Sequence, residues 1–149
     1  MDTIFEYQTR KSIINRILLL KETDLPQWGK MNVNQMLLHC VRYENMMQGK
    51  MKYKRLLVGY LFGKSALRVD FLKDDSPIKM NTPNLKQLKI KTSLVDFSTM
   101  KKEWICKIED YAKLESLQIV HPFFGKLTME QIGALVFKHA DHHLRQFKR

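Results

Sequence analysis

The stretch Thr128-Met129-Glu130-Gln131-Ile132-Gly133-Ala134-Leu135-Val136-Phe137-Lys138-His139-Ala140-Asp141-His142-His143-Leu144-Arg145-Gln146-Phe147 decides the fold class. Thr128 followed three residues later by Gln131 is a capping-box signature: the hydroxyl satisfies an early backbone N–H and the amide reaches back to the cap residue. Beyond it, Ile132, Leu135, Val136, His139 and His143 recur at helical spacing. With His139 set to zero and a turn of ~100° per residue, Ile132 falls at about 20°, Leu135 at about −40°, Val136 at about 60° and His143 at about 40°. One buried stripe therefore carries both imidazoles, with His142 at its edge and Asp141 on the opposite side.

Working outward, the same periodicity recurs along the chain. Thr3 and Glu6 form a second capping-box pattern and predict a helix to about Glu22, with Ile4, Tyr7, Ile14, Ile17, Leu18 and Leu20 as its apolar positions. A helix is predicted from Asn32 to about Met47, ended by Gly49, with a stripe of Val33, Met36, Leu37, Cys40, Tyr43 and Met47. A third, from about Tyr53 to Leu72, is interrupted in pattern by Gly59 and Gly63. Periodicity fails from Lys73 to Phe97, where Asp74, Asp75, Ser76, Pro77, Asn81, Thr82, Pro83 and Asn84 indicate a long irregular excursion. Ser98 is the expected cap of a helix to about Leu117, carrying Trp104, Ile108 and Tyr111, and His121-Pro122-Phe123-Phe124-Gly125 reads as a compact aromatic turn.

These elements predict an all-α fold: an antiparallel four-helix bundle with one long crossover and a short extra helical segment. At 149 residues and 44% hydrophobic content the chain is expected to form a single domain, residues 1–149, with a buried core. Cys40 and Cys106 are too few for a disulfide framework and are expected in the core, which fits a reducing compartment. The acidic start, Met1-Asp2-Thr3-Ile4-Phe5-Glu6, does not resemble a secretory signal, and no apolar run reaches the ~18 residues that span a bilayer. The expected location is the cytoplasm.

The histidines carry the functional signal. His139 and His143, one helical turn apart, form a chelating pair for a divalent ion, although an HxxxH spacing is more often simply core or surface. A third ligand must come from a facing helix, and His39 is the candidate, at about 90° from the centre of its own helix's stripe and so at the core margin. Three neutral imidazoles with an open position suit zinc, nickel or a similar borderline ion.

The segments Trp28-Gly29-Lys30-Met31, Gln35-Met36-Leu37-Leu38-His39, His121-Pro122-Phe123-Phe124-Gly125 and Lys138-His139-Ala140-Asp141-His142-His143-Leu144-Arg145-Gln146-Phe147 resemble the DinB-like (DinB/YfiT) superfamily, and within it a subgroup of unknown function. The resemblance covers most of the chain, least distinctively its middle third. It implies a metal-binding helical bundle with His39, His139 and His143 as ligands and His142 adjacent. Some relatives are transferases or isomerases that use low-molecular-weight thiols, and others are regarded as hydrolases, so the resemblance implies a small-molecule substrate without fixing the reaction.

For such chemistry the polar neighbours expected near the ion are His142, Tyr43 and Gln35, whose commoner role is support or surface. Glu44 and Glu130 fall about 140° and about 180° from the nearest ligand on their helices, the wrong side for a general base. Cys40 diverges from His39 by about 100° and cannot pair with it. The formal charge is +11, with basic runs at Lys50, Lys52, Lys54, Arg55 and at Lys86, Lys89, Lys91. No nucleic-acid motif accompanies them, so nucleic-acid binding is disfavoured and attraction of a small anionic substrate is the better use of the charge. Leu61 and Phe62 would allow a homodimer. The rival to a metal-dependent enzyme is a non-catalytic, metal-stabilised binding protein.

Overall fold

Caps set the helix boundaries. In the computed structural model, which describes residues 1–83, 85–91 and 95–149, helix α1 spans Tyr7–Leu18, α2 Val33–Met47, α3 Leu57–Ala66, α4 Phe97–Asp110 and α5 Met129–Gln146. The expected capping box of α5 forms, and α2 has one that was not foreseen: Thr128 Oγ1 accepts from Gln131 N–H at 3.3 Å, and Asn32 Oδ1 accepts from Gln35 N–H at 2.9 Å. Each Gln side chain accepts in return from its cap residue, at 3.0 and 3.1 Å.

Two other expected caps are corrected. Helix α1 starts after Glu6, not at Thr3, because Thr3 and Ile4 dock on α5 instead: Ile4 N–H donates to Gly133 O at 3.1 Å, and a Cβ on Gly133 would run into Thr3 and Phe5. The buried face of α1 is Ile13 and Ile17, continued by Ile4 and Leu20, while Tyr7 and Leu18 are exposed and the helix stops short of Glu22. Asp96, not Ser98, caps α4, accepting from Thr99 N–H at 2.7 Å. A carboxylate is the stronger acceptor at a helix N-terminus, where the dipole favours negative charge. Helix α4 ends at Asp110 in a single 3-10 turn, Tyr111–Lys113, rather than at Leu117.

The all-α expectation is also corrected: the fold is mostly helical but contains a two-stranded antiparallel sheet, β1 Ile119–His121 and β2 Gly125–Leu127. Ile119 faces Leu127 and His121 faces Gly125, so the aromatic turn is the tip of a hairpin. Three-residue strands alternate too briefly for a period of two to stand out among helices. Gly125, at φ +84°, supplies a left-handed backbone where a Cβ would meet the Arg55 guanidinium.

This hairpin explains α3. Gly59 and Gly63 do not break the helix, which runs through both and continues as a π turn, Leu67–Phe71; it begins at Leu57 rather than Tyr53. Both glycines are buried, and a Cβ on either would collide with the Phe123 backbone. Leu56 N–H also donates to Pro122 O at 2.9 Å. Among its described residues the expected excursion after α3 is irregular apart from a 3-10 turn at Lys86–Leu88 and the start of α4 at Phe97; residues 92–94 lie outside the described residues. Asn84, part of that expectation, lies outside the described residues.

Helix α2 packs most extensively on α4 and also touches α5, while α1 lies against both α4 and α5. The predicted α2 stripe is buried throughout, as are Trp104, Ile108 and Tyr111, but Cys106 is exposed, contrary to its expected place in the core. Among the described residues no helix is long and apolar enough to cross a membrane. In an ordinary helix interior Gly63→Ala would add up to about 1 kcal/mol of stability. Here the backbone approach should reverse the sign and cost ~1–3 kcal/mol in urea unfolding, with Ser65→Ala as a near-neutral control.

Candidate metal centre

Helix α2 brings His39, and α5 brings His139 and His143, to one place. Each offers a ring nitrogen, and these atoms all lie within 4.8 Å of one another. Nε2 of His39 stands 3.0 Å from Nε2 of His139, and the His143 ring lies edge-on to both, with centroids at 4.8 and 4.6 Å. Two of the three are buried, His39 at 0% and His143 at 4% exposed, while His139 is partly exposed where it lines a cavity. His39 was expected at the core margin. It is fully buried because the crossover folds over that margin, and Leu88, itself buried, presents its carbonyl to the ring.

Hydrogen bonds set the tautomers. His39 Nδ1 donates to Leu88 O at 3.1 Å, and His143 Nδ1 donates to Gln146 Oε1 at 2.9 Å. A neutral imidazole has one proton, so both rings turn an unprotonated Nε2 toward the cluster. Gln146 is held in turn, since its Nε2 donates to Trp28 O at 2.7 Å. Gly29, at φ +79°, leaves room for this, as a Cβ there would lie 2.8 Å from Gln146 Nε2. This carbonyl-or-amide support of the far nitrogen is the arrangement that orients histidine ligands to metals.

Burial reinforces the lone pairs. Desolvation pulls the pKa of His39 down to about 4, against a smaller upward pull from the Leu88 carbonyl. Desolvation, joined by the neighbouring imidazoles, holds His139 and His143 well below the usual range. All three rings are therefore neutral at pH 7. Their convergent nitrogens must share a proton or a cation, and Nδ1 of His139 is buried without a partner. Nitrogens held by one ion at ~2.0–2.1 Å stand ~3 Å apart, which the His39–His139 spacing matches. The donor set fits a divalent ion of the zinc or nickel type.

The remaining expected residues divide. Tyr43 stacks on His139, centroids 3.6 Å apart and planes 9° from parallel. His142 sits edge-on to Trp28 and donates from Nδ1 to Ile78 O at 3.3 Å, leaving its own Nε2 unprotonated. Gln35 is not brought to the cluster: its side chain is committed to the α2 capping box. Glu44 faces away, as expected, buried with its carboxylate accepting from Tyr111 O–H at 2.6 Å. Burial lifts its pKa to about 7, while Tyr111 and the nearby Trp104 N–H pull the other way; Trp104 Nε1 falls short of hydrogen-bond geometry.

A cavity of about 680 Å³ opens from the cluster, reached by His139, His142, His143 and Tyr43 and walled by Leu56, Phe71, Phe123, Phe124 and Leu135. His121 also lines it. Sequence reasoning placed that residue only in a turn, and it likewise passed over Leu88 and Gln146. Gln146 carried a legible signal, three residues after His143 on the same helical face. Leu88 carried none, because its contribution is a backbone carbonyl.

A mostly helical fold with a largely buried three-histidine cluster beside a cavity of mainly apolar wall is the class that fold and site define. The profile of the family described as protein of unknown function (DUF1569) matches residues 3–149, and the chain belongs to that family. No curated protein and no solved structure matches the chain.

The cluster makes stability depend on pH. An unfolded histidine binds a proton near pH 6.5, whereas His39 and His121 resist to about 4 and His139 and His143 resist as well. Between those limits the unfolded chain binds more protons, so stability falls with pH by about 1.4 kcal/mol per unit for each such group. Glu44 acts oppositely from its raised value of about 7, gaining stability as pH falls toward the ordinary carboxyl range. Four groups outweigh one. Chelator-treated protein should therefore melt at a lower temperature at pH 5 than at pH 7 by calorimetry, and Glu44→Gln should widen the gap.

Proposed function

We propose that this protein is a metal-dependent enzyme of the DinB-like (DinB/YfiT) type, with His39, His139 and His143 holding zinc or nickel and a small molecule bound beside them. The observation that carries the reading is the pair of fixed tautomers: Leu88 O and Gln146 Oε1 take the Nδ1 protons, so unprotonated Nε2 atoms converge from two helices next to a cavity. The mutual packing of α1, α2, α4 and α5 supports a four-helix bundle of that type, with the hairpin and α3 added to it.

A divalent ion held here would supply Lewis acidity, serving either hydrolysis or transfer with a low-molecular-weight thiol. The chain's own residues divide the remaining work. His142, with Nε2 unprotonated at the cavity, is the proton acceptor in this reading. Tyr43 fixes the His139 ring by stacking, and the apolar walls exclude water from the bound molecule. Lys79 and Lys86 at the cavity favour an anionic substrate. A cytoplasmic setting accords with two free thiols, Cys40 and Cys106. Self-association through α3, where Leu57, Leu61 and Phe62 are exposed, belongs to the same reading.

Elemental analysis of protein purified without a metal-affinity tag should give one equivalent of zinc or nickel per chain. His39→Ala and His143→Ala should each lose it, together with turnover in a screen of thiols and small electrophiles or esters. A melting temperature lowered in His39→Ala, with no turnover by the native protein in any such screen, would favour the non-catalytic metal-stabilised alternative. Native protein that takes up no divalent ion would overturn both.

A further inference from the structure

His121 is the buried histidine that the metal reading leaves without a task. Its ring lies at the end of β1, 4% exposed and stacked on Phe124 with centroids 4.5 Å apart. Nδ1 accepts two backbone hydrogen bonds across the hairpin tip, from Phe123 N–H at 3.2 Å and Phe124 N–H at 3.1 Å. Two donors on one nitrogen require it to be unprotonated, so the ring's single proton sits on Nε2. That N–H meets no acceptor among the described residues, and the ring lines the cavity. Burial holds its pKa at about 4, which keeps the ring neutral.

The cavity thus has two chemically opposite ends of imidazole. At the cluster end His143 presents an unprotonated nitrogen, while His121 presents a fixed donor among the apolar wall residues Leu56, Phe71, Phe123 and Phe124. That Nε2–H is not sealed in the interior but opens on the cavity, where an oxygen of a bound ligand can accept from it. We propose that His121 is a substrate-binding residue whose Nε2–H hydrogen-bonds a carbonyl or carboxylate oxygen of a small, largely apolar molecule held in this cavity. The hairpin's glycine-tight seat on α3 is then what sets the donor's position, since Gly59 and Gly63 admit the Phe123 backbone that orients the ring. A neutral imidazole can polarise such an oxygen without giving up its proton. This rests on reading the cavity as a substrate site, not on the ion.

The test uses the full chain and two probes of similar shape, acetophenone, which has a carbonyl oxygen, and cumene, which has none. Long-range 1H–15N correlation spectra should report His121 as the Nε2–H tautomer, and that proton should shift on adding acetophenone but not cumene. His121→Asn keeps an acceptor for the two hairpin N–H groups, while its shorter amide leaves no donor at the position of the imidazole Nε2. It should lower the ratio of acetophenone to cumene affinity about tenfold, with the melting temperature and ion stoichiometry unchanged. His121→Phe, which also removes the hairpin acceptor, should lower the ratio equally even if it is less stable. A Nδ1–H tautomer, no acetophenone binding by native protein, or an unchanged ratio in both variants would overturn the proposal. Loss of the metal reading would appear separately, as absent ion in protein that still distinguishes the two probes.

Discussion

Three neutral imidazoles packed together, two of them buried, are tolerable only if their nitrogens are satisfied, and much of this structure answers that requirement. Buried polar groups without partners cost free energy comparable to a lost hydrogen bond or more. Leu88 O and Gln146 Oε1 take the outer protons of His39 and His143, and Tyr43 covers the His139 face. What remains is a set of inward nitrogens with nothing but one another to bind. That residue of unsatisfied capacity is what would allow the cluster to hold a cation.

Supplying the outer partners constrains distant parts of the chain. Gln146 can hold His143 only while Trp28 O holds Gln146, and this brings the segment before α2 onto the end of α5. The crossover is fastened in the same way: Lys138 Nζ, almost fully buried, donates to Asp74 O at 2.6 Å and to Ser76 O at 2.8 Å, and His142 reaches Ile78 O. A segment with little regular structure is thereby held over the cluster through its own carbonyls. It covers His39 while leaving the cavity beside His139 and His143.

The glycines follow the same logic of close approach. Gly59 and Gly63 let the hairpin backbone rest on α3, and Gly133 lets Thr3 and Phe5 rest on α5. A helix interior would normally prefer Ala at all three. The departure from that preference marks where a second piece of backbone must pass, and at α3 that piece carries the cavity's phenylalanines and His121.

Much of this was legible in the chain itself. Thr128 with Gln131 marked the start of α5, because capping depends on side chains within one turn of the cap, and α2 starts next to Asn32 as its spacing implied. Helical spacing also put His139 and His143 on one buried stripe. Local rules failed where a distant group competed: Ile4 bonds Gly133 instead of opening α1, Gln35 serves its cap and not the cluster, and Gly59 and Gly63 seat a hairpin rather than break a helix. The tautomers belong wholly to the tertiary structure. Which imidazole nitrogen keeps its proton depends on the Leu88 carbonyl, the Gln146 amide and the Phe123 and Phe124 N–H groups, and no pattern of residue types states where a folded backbone will point them.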